Sequence, residues 1–243
     1  MSGESQPRAR AEIKVLDDPG AEAVVVLARH AAAGHHIALT GGSTPRGAYE
    51  RVAGMHLDWS RTTLWWGDER CVPPEDERSN YRLAKATLID AIRDGPPVVH
   101  RIRGELGPAA GADDYEEQLR EAFGDGVPAL DLVLLGLGPD GHLASLFPGQ
   151  PALAETRRRV VGVEEAGLEP FVPRVTLTLP VINAGAEVLF LVAGADKAEA
   201  VARAFAEAPD PDTPASLVSP ESGSLTVLLD PPAAERLEGA ATP

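Results

Sequence analysis

The sequence predicts an α/β protein, a three-layer α/β/α sandwich on a mostly parallel, Rossmann-like sheet. Three observations carry this. Strand-like and helix-like segments alternate along most of the chain, the pattern of successive βαβ units. Residues 131–137 (DLVLLGL) are apolar without alternation, as expected of a strand covered on both faces. The chain has 243 residues, 44% hydrophobic and 24% charged, which suits one large globular domain that buries its core unaided. We expect a polar, flexible leader over residues 1–10 and a single domain over residues 11–243.

Residues 12–16 (EIKVL) read as the first strand. Asp18 then offers an N-cap with Pro19 at the first helical position, opening a helix that runs to about Ala33 and stops at Gly34. A short apolar strand (HIAL, residues 36–39) breaks into TGGSTP, and a helix follows over residues 45–53. Residues 62–66 (TTLWW) are β-branched and aromatic, hence a strand. Residues 67–78 read as a charged loop, after which Ser79 caps a helix reaching about Ile92. Further strands are expected over residues 98–102, 131–137, 159–163, 175–179, 188–193 and 225–229. Helices are expected over residues 109–123, 197–207 and 232–237, with a stiff PDPDTP loop at residues 209–214.

Charge and composition narrow the function. Lys and Arg number 22 against 37 Asp and Glu, a formal charge of −15, and that field repels nucleic acid and anionic lipid. No apolar run reaches the roughly 18–20 residues of a membrane span, and the N-terminal residues lack the apolar segment of a signal peptide. Cys71 is the one cysteine, so an intrachain disulfide and a cysteine-rich metal site are excluded and the cytoplasm is the expected compartment. A monomer is expected, since no apolar interface stripe is evident. No HExxH or facial-triad spacing occurs, so no metal site is expected.

In sheets of this class ligands bind beyond the carboxyl ends of the strands, so the loops there matter most. Gly41, Gly42, Ser43 and Thr44 stand between a strand and a helix. Glycines admit a close ligand and the helix start offers free N–H groups to an anion, although no Walker lysine follows. The plain alternative is a glycine turn in which Ser43 or Thr44 caps the helix. Asp68 and Arg70 end the Trp65-Trp66 strand and can orient a hydroxyl or stabilise developing negative charge, or else form a surface ion pair. Gly136, Gly138 and Gly141 match GxGxxG, with Glu164 at the distance of a ribose-binding acid. Pro139 within the turn and Pro148-Gly149 after it argue against a dinucleotide site. What the turn does present is Asp140 and His142, and histidine suits proton transfer near neutral pH. Arg174 and Lys197, each at a strand or helix end, would complete a dianion pocket with the first glycine loop. Neither Ser43 nor Ser145 lies in a GxSxG elbow, and Cys71 has no base partner in view.

Taken together, TGGSTP (40–45), WGDER (66–70), SNY (79–81), LGLGPDGHLASLFP (135–148), PRVTLTL (173–179), GADKA (194–198) and PASL (214–217) resemble, in order, the 6-phosphogluconolactonase branch of the glucosamine-6-phosphate isomerase superfamily. The resemblance spans roughly residues 38–229. It implies cofactor-free hydrolysis of 6-phospho-glucono-1,5-lactone, a small-molecule sugar phosphate. His142 would be the general acid/base with Asp140 beside it, and Asp68 and Arg70 would line the sugar end. Gly42, Ser43, Thr44, Arg174 and Lys197 would hold the phosphate. Two other readings stay open: an amino-sugar-phosphate deaminase or isomerase of the same superfamily, and a catalytically silent sugar-phosphate sensor. Members of the deaminase branch resemble GHxAFNEP and DEY where this chain reads Ser145-Leu146-Phe147-Pro148 and Asp68-Glu69-Arg70, which points away from that branch.

Overall fold

The computed structural model describes residues 11–237, so the leader expected over residues 1–10 and the last residues, 238–243, lie outside the described residues. In chain order the strands are β1 (Glu12–Val15), β2 (His36–Leu39), β3 (Thr63–Trp66), β4 (Asp68–Arg70), β5 (Val98–Val99), β6 (Leu132–Leu135), β7 (Val160–Val163), β8 (Arg174–Leu177), β9 (Glu187–Val192) and β10 (Ser224–Leu229). Seven of them form one sheet in the order β1-β10-β9-β6-β2-β3-β5, with every adjacent pair parallel. The helices are α1 (Pro19–Ala33), α2 (Arg46–Ala53), α3 (Asn80–Thr87), α4 (Pro108–Phe123), α5 (Leu179–Asn183), α6 (Ala198–Ala204) and α7 (Pro231–Ala234).

The local signals explain most of this. Asp18 accepts from the Ala21 N–H to cap α1, and Gly34 ends the same helix at φ 75, a conformation that suits glycine. All four residues of β6 are buried, as the unbroken apolar run requires of a central strand. Trp65, Trp66, Leu64 and Phe190 are fully buried in the same core. Each large side chain so placed stabilises the fold by about 1.5–3 kcal/mol relative to exposure.

The structure corrects several expected boundaries. The strand expected over residues 98–102 is only Val98–Val99, and the helix opened by Ser79 ends at Thr87, followed by a 3-10 turn at Ile89–Ala91. Lys197 does not begin an α-helix; it ends a 3-10 turn (Ala195–Lys197), and α6 starts at Ala198. The charged segment after Trp66 is not a loop throughout. Asp68–Arg70 is β4, which pairs antiparallel with β8, and β8 in turn with β7, giving a second, three-stranded sheet. Among the described residues no helix is long and apolar enough to cross a membrane.

Two buried tyrosines finish the central strands. Tyr49 from α2 accepts from the Thr40 N–H and donates to the Thr40 carbonyl, at 3.0 and 2.8 Å. Tyr115 from α4 makes the same pair of bonds to Trp66, at 2.8 and 3.1 Å. A backbone pair that would otherwise seek a neighbouring strand is thus satisfied, and the chain can leave the sheet there. Burial pushes both phenol pKa values upward, so the hydroxyls keep the hydrogen they donate.

Candidate active site

The sheet changes direction between β2 and β6. From β2 the chain proceeds outward through β3 and β5, whereas β6, β9 and β10 build the other way. Ligands in open α/β sheets bind in the crevice at such a switch point. The loops after β2, β3, β6 and β9 line one cleft of about 300 Å³ there.

On the β2 side stand Gly41, Gly42, Ser43 and Thr44. The residue before α2 is Pro45, and no side chain caps that helix. Ser43 and Thr44 therefore do not serve as caps, and their hydroxyls are left to the cleft. Gly42 has φ 95, which disfavours a side chain. Across the cleft, Lys197 follows Gly194, whose N–H donates to both carboxylate oxygens of Asp230 at 3.0 Å. Asp230 follows β10 and caps α7, so it holds the turn that carries Lys197. Among the described residues the Lys197 ammonium pairs only with the exposed Asp196, at 3.4 Å.

On the β6 side the glycine turn delivers His142. Its Nδ1 lies 2.5 Å from Asp140 Oδ1, and the same oxygen accepts the His142 N–H at 3.1 Å. An acceptor at Nδ1 fixes the hydrogen there and leaves Nε2 with a lone pair for proton transfer. Phe147 backs the imidazole, with ring centroids 4.6 Å apart. No helix follows this turn; the next element is a 3-10 turn at Pro151–Ala154. The GxGxxG match therefore lacks the helix N-terminus on which a dinucleotide pyrophosphate would rest.

Burial alone would raise the Asp140 pKa, but the hydrogen bond from His142, the charge of its ring and the His142 N–H outweigh it and hold the carboxyl below its ordinary 3.8. A depressed folded-state pKa contributes stability that is present above the unfolded value and is lost as pH falls through the folded one. Asp140→Asn should therefore melt below wild type at neutral pH, with the difference shrinking below about pH 4. Thermal melts of both proteins across pH 2–7 check this, and a gap that stays constant would remove the Asp140–His142 contact from the account.

Behind β3 lies a buried polar knot. Asp68 is 5% exposed, and its carboxylate accepts from Ser145 Oγ at 2.7 Å and from Asn80 Nδ2 at 3.1 Å. Glu69, the next residue, is buried as well. Its carboxylate accepts the N–H groups of Arg70, Asn80 and Tyr81 and the Ser79 hydroxyl, all within 2.9 Å. It thereby ties β4 to the start of α3. Burial raises the Glu69 pKa against the pull of those four donors. Arg70 donates to the Arg78 carbonyl, while its buried Nε has no partner among the described residues. Arg174 is more committed than expected: it donates to the carbonyls of Val172, Pro170 and Leu168 and leaves Nη1 3.9 Å from Asp68. Most of its hydrogens strap the 168–172 wall of the cleft.

Against this geometry the comparisons decide the family. The profile described as glucosamine-6-phosphate isomerases/6-phosphogluconolactonase matches residues 14–227. The chain belongs to that family. A 6-phosphogluconolactonase of Nostoc sp. is 41% identical over 83% of this chain and 84% of its own length. One from Streptomyces coelicolor is 40% identical over 83% and 81%. The solved 6-phosphogluconolactonase of Trypanosoma cruzi superposes with a TM-score of 0.82 at 29% identity, covering 95% of this chain and 98% of that one.

Within this family member the structure gathers the residues singled out from sequence. His142, Asp68, Arg70, Gly41, Gly42, Ser43, Thr44, Arg174 and Lys197 line this cleft together, and Asp140 stands behind His142. Sequence reasoning gave no role to Asn80, Ser145 and Glu69. Asn80 and Ser145 lay inside the motifs of the resemblance, but nothing local marks either as a partner of Asp68.

Proposed function

We propose that the chain hydrolyses 6-phospho-D-glucono-1,5-lactone to 6-phospho-D-gluconate, without a cofactor, in the oxidative pentose phosphate pathway. The observation that carries this reading is the Asp140–His142 pair facing a cleft whose other wall is a glycine loop with hydroxyls that cap no helix and take no partner among the described residues. Family membership and lactonase relatives over more than four fifths of the chain support it. His142 Nε2 takes a proton from water as that water adds to the lactone carbonyl. Charge collects on the carbonyl oxygen, where Arg70 is the stabilising cation. The intermediate collapses by breaking the bond to the ring oxygen, and His142 returns its proton there. Asp140 fixes the tautomer throughout and steadies the imidazolium. The phosphate lies on Gly41, Gly42, Ser43 and Thr44 with Lys197, joined by Nη1 of Arg174, the guanidinium nitrogen that does not strap the 168–172 wall, and Asp68 orders the sugar end. These three cations make a local positive spot in a −15 protein, which draws in a small dianion. The enzyme is a cytoplasmic monomer in this reading; its one cysteine, Cys71, is half-buried, and burial and the charges of Glu164 and Glu69 push its thiol pKa up to about 11.

The test is disappearance of freshly generated lactone near neutral pH with the spontaneous rate subtracted. Wild type is expected to exceed background by orders of magnitude. Loss at the background rate would retire the lactonase, and ammonia release from glucosamine 6-phosphate would point to the deaminase reading. In the same assay Lys197→Ala should raise KM roughly ten- to hundredfold, the worth of a hydrogen bond to a charged group, with a smaller effect on kcat. An unchanged KM would place the phosphate elsewhere.

A further inference from the structure

We propose that Asn80 reads a hydroxyl of the sugar ring, its amide oxygen accepting that hydroxyl's hydrogen. The proposal rests on the reading of the cleft as a sugar-phosphate lactone site. Asn80 is 2% exposed and lines the cleft at the start of α3. Its Nδ2 donates to the Asp68 carbonyl at 2.9 Å and to the Asp68 carboxylate at 3.1 Å. Those two bonds use both hydrogens of the amide nitrogen. They also fix which way the amide points, because exchanging nitrogen and oxygen would set Oδ1 against two oxygens. Oδ1 itself accepts no hydrogen bond from the described residues, and it is not among the unpartnered polar atoms that are sealed from solvent. It opens on the cleft.

Gly41 makes room for it. A Cβ at Gly41 would sit 1.8 Å from Asn80 Oδ1, and Gly41 is not among the glycines of positive φ, so space is what glycine supplies there. The oxygen thus reaches the cleft beside the anion loop. Arg174 and Lys197 suit a phosphate and Arg70 a developing oxyanion, yet a ring hydroxyl must also donate its own hydrogen. The carboxylate of Asp68 already accepts from Asn80 and Ser145. Asn80 Oδ1 is a neutral acceptor without a competitor, and it does not repel a dianion as another carboxylate would. A site that leaves a buried acceptor unpaired when a hydroxyl is missing discriminates against the deoxy compound.

The experiment compares wild type and Asn80→Ala on the lactone 6-phosphate and on its three monodeoxy analogues, lacking the hydroxyl at C2, C3 or C4. For wild type, kcat/KM should fall roughly tenfold or more on one analogue. Asn80→Ala should lose a similar factor on the parent and treat that analogue like the parent. A merely structural defect would lower all four substrates together and keep their ratios, and unchanged ratios overturn the proposal. If Asn80→Ala does not fold, Gly41→Ala drives the whole amide from its place, since its Cβ would also meet Asn80 Cγ at 2.4 Å and Nδ2 at 2.9 Å, and the same loss of discrimination is expected. Wild-type turnover of the parent above background checks the underlying reading separately. Its absence would bring both down, whereas parent turnover with unaltered ratios sinks Asn80 alone.

Discussion

His142→Ala is expected to lower kcat by about two to four decades, the usual worth of a positioned general acid and base, with KM little changed. The imidazole serves two proton steps in turn, so its loss slows both addition of water and departure of the ring oxygen. What remains should be the contribution of Arg70 and of substrate positioning, well above the spontaneous rate. Measuring kcat and KM separately matters. A large rise in KM with kcat intact would make His142 a binding residue, and full retention of kcat would remove it from the mechanism. A binding check with inorganic phosphate should find the variant unaltered, because the Gly41 to Thr44 loop leaves from β2 whereas His142 leaves from β6.

The parallel sheet and its site loops were legible because their signals are local. An unbroken apolar run is enough to place β6 at the centre, and glycines at the carboxyl ends of β2 and β6 mark where backbone comes close to a ligand. The Asp18 and Gly34 caps of α1 need only their neighbours to act. The second sheet was not legible in the same way. Asp68-Glu69-Arg70 carries no strand propensity, and becomes β4 only because β8, more than a hundred residues later, supplies its partner. Its charges are tolerated inside because Ser145, Asn80 and the start of α3 bring donors to them. Arg174 was legible only in part, for a related reason. A guanidinium in a sequence reads as an anion ligand, and only the folded 168–172 wall reveals three carbonyls that take most of its hydrogens. Asn80 shows the limit most sharply, since an asparagine after a capping serine looks like a helix start and nothing more.

The second large effect is expected at Gly138, a residue with no side chain to do chemistry. A Cβ built there would meet His142 Nδ1 at 2.0 Å and Asp140 Oδ1 at 2.6 Å, so the methyl of Gly138→Ala occupies the flank of the acid–base pair. Gly138 is not among the glycines of positive φ, unlike Gly141 at φ 87, and alanine can take up its backbone without strain. The atoms it strikes are side-chain ends that can move, so the fold should persist. The cost should fall on geometry: the imidazole must swing off Asp140 and carry Nε2 with it. Misplacing a catalytic atom by about an ångström costs on the order of a hundredfold, and kcat should drop by about that much. The control is Asp140→Asn in the Gly138→Ala background. If alanine acts by breaking the pair, the second substitution adds little, because the bond it removes is already gone. Full additivity of the two losses, or wild-type kcat in Gly138→Ala alone, would mean that the imidazole finds its working position without Asp140 and that the tautomer is fixed by something else in the cleft.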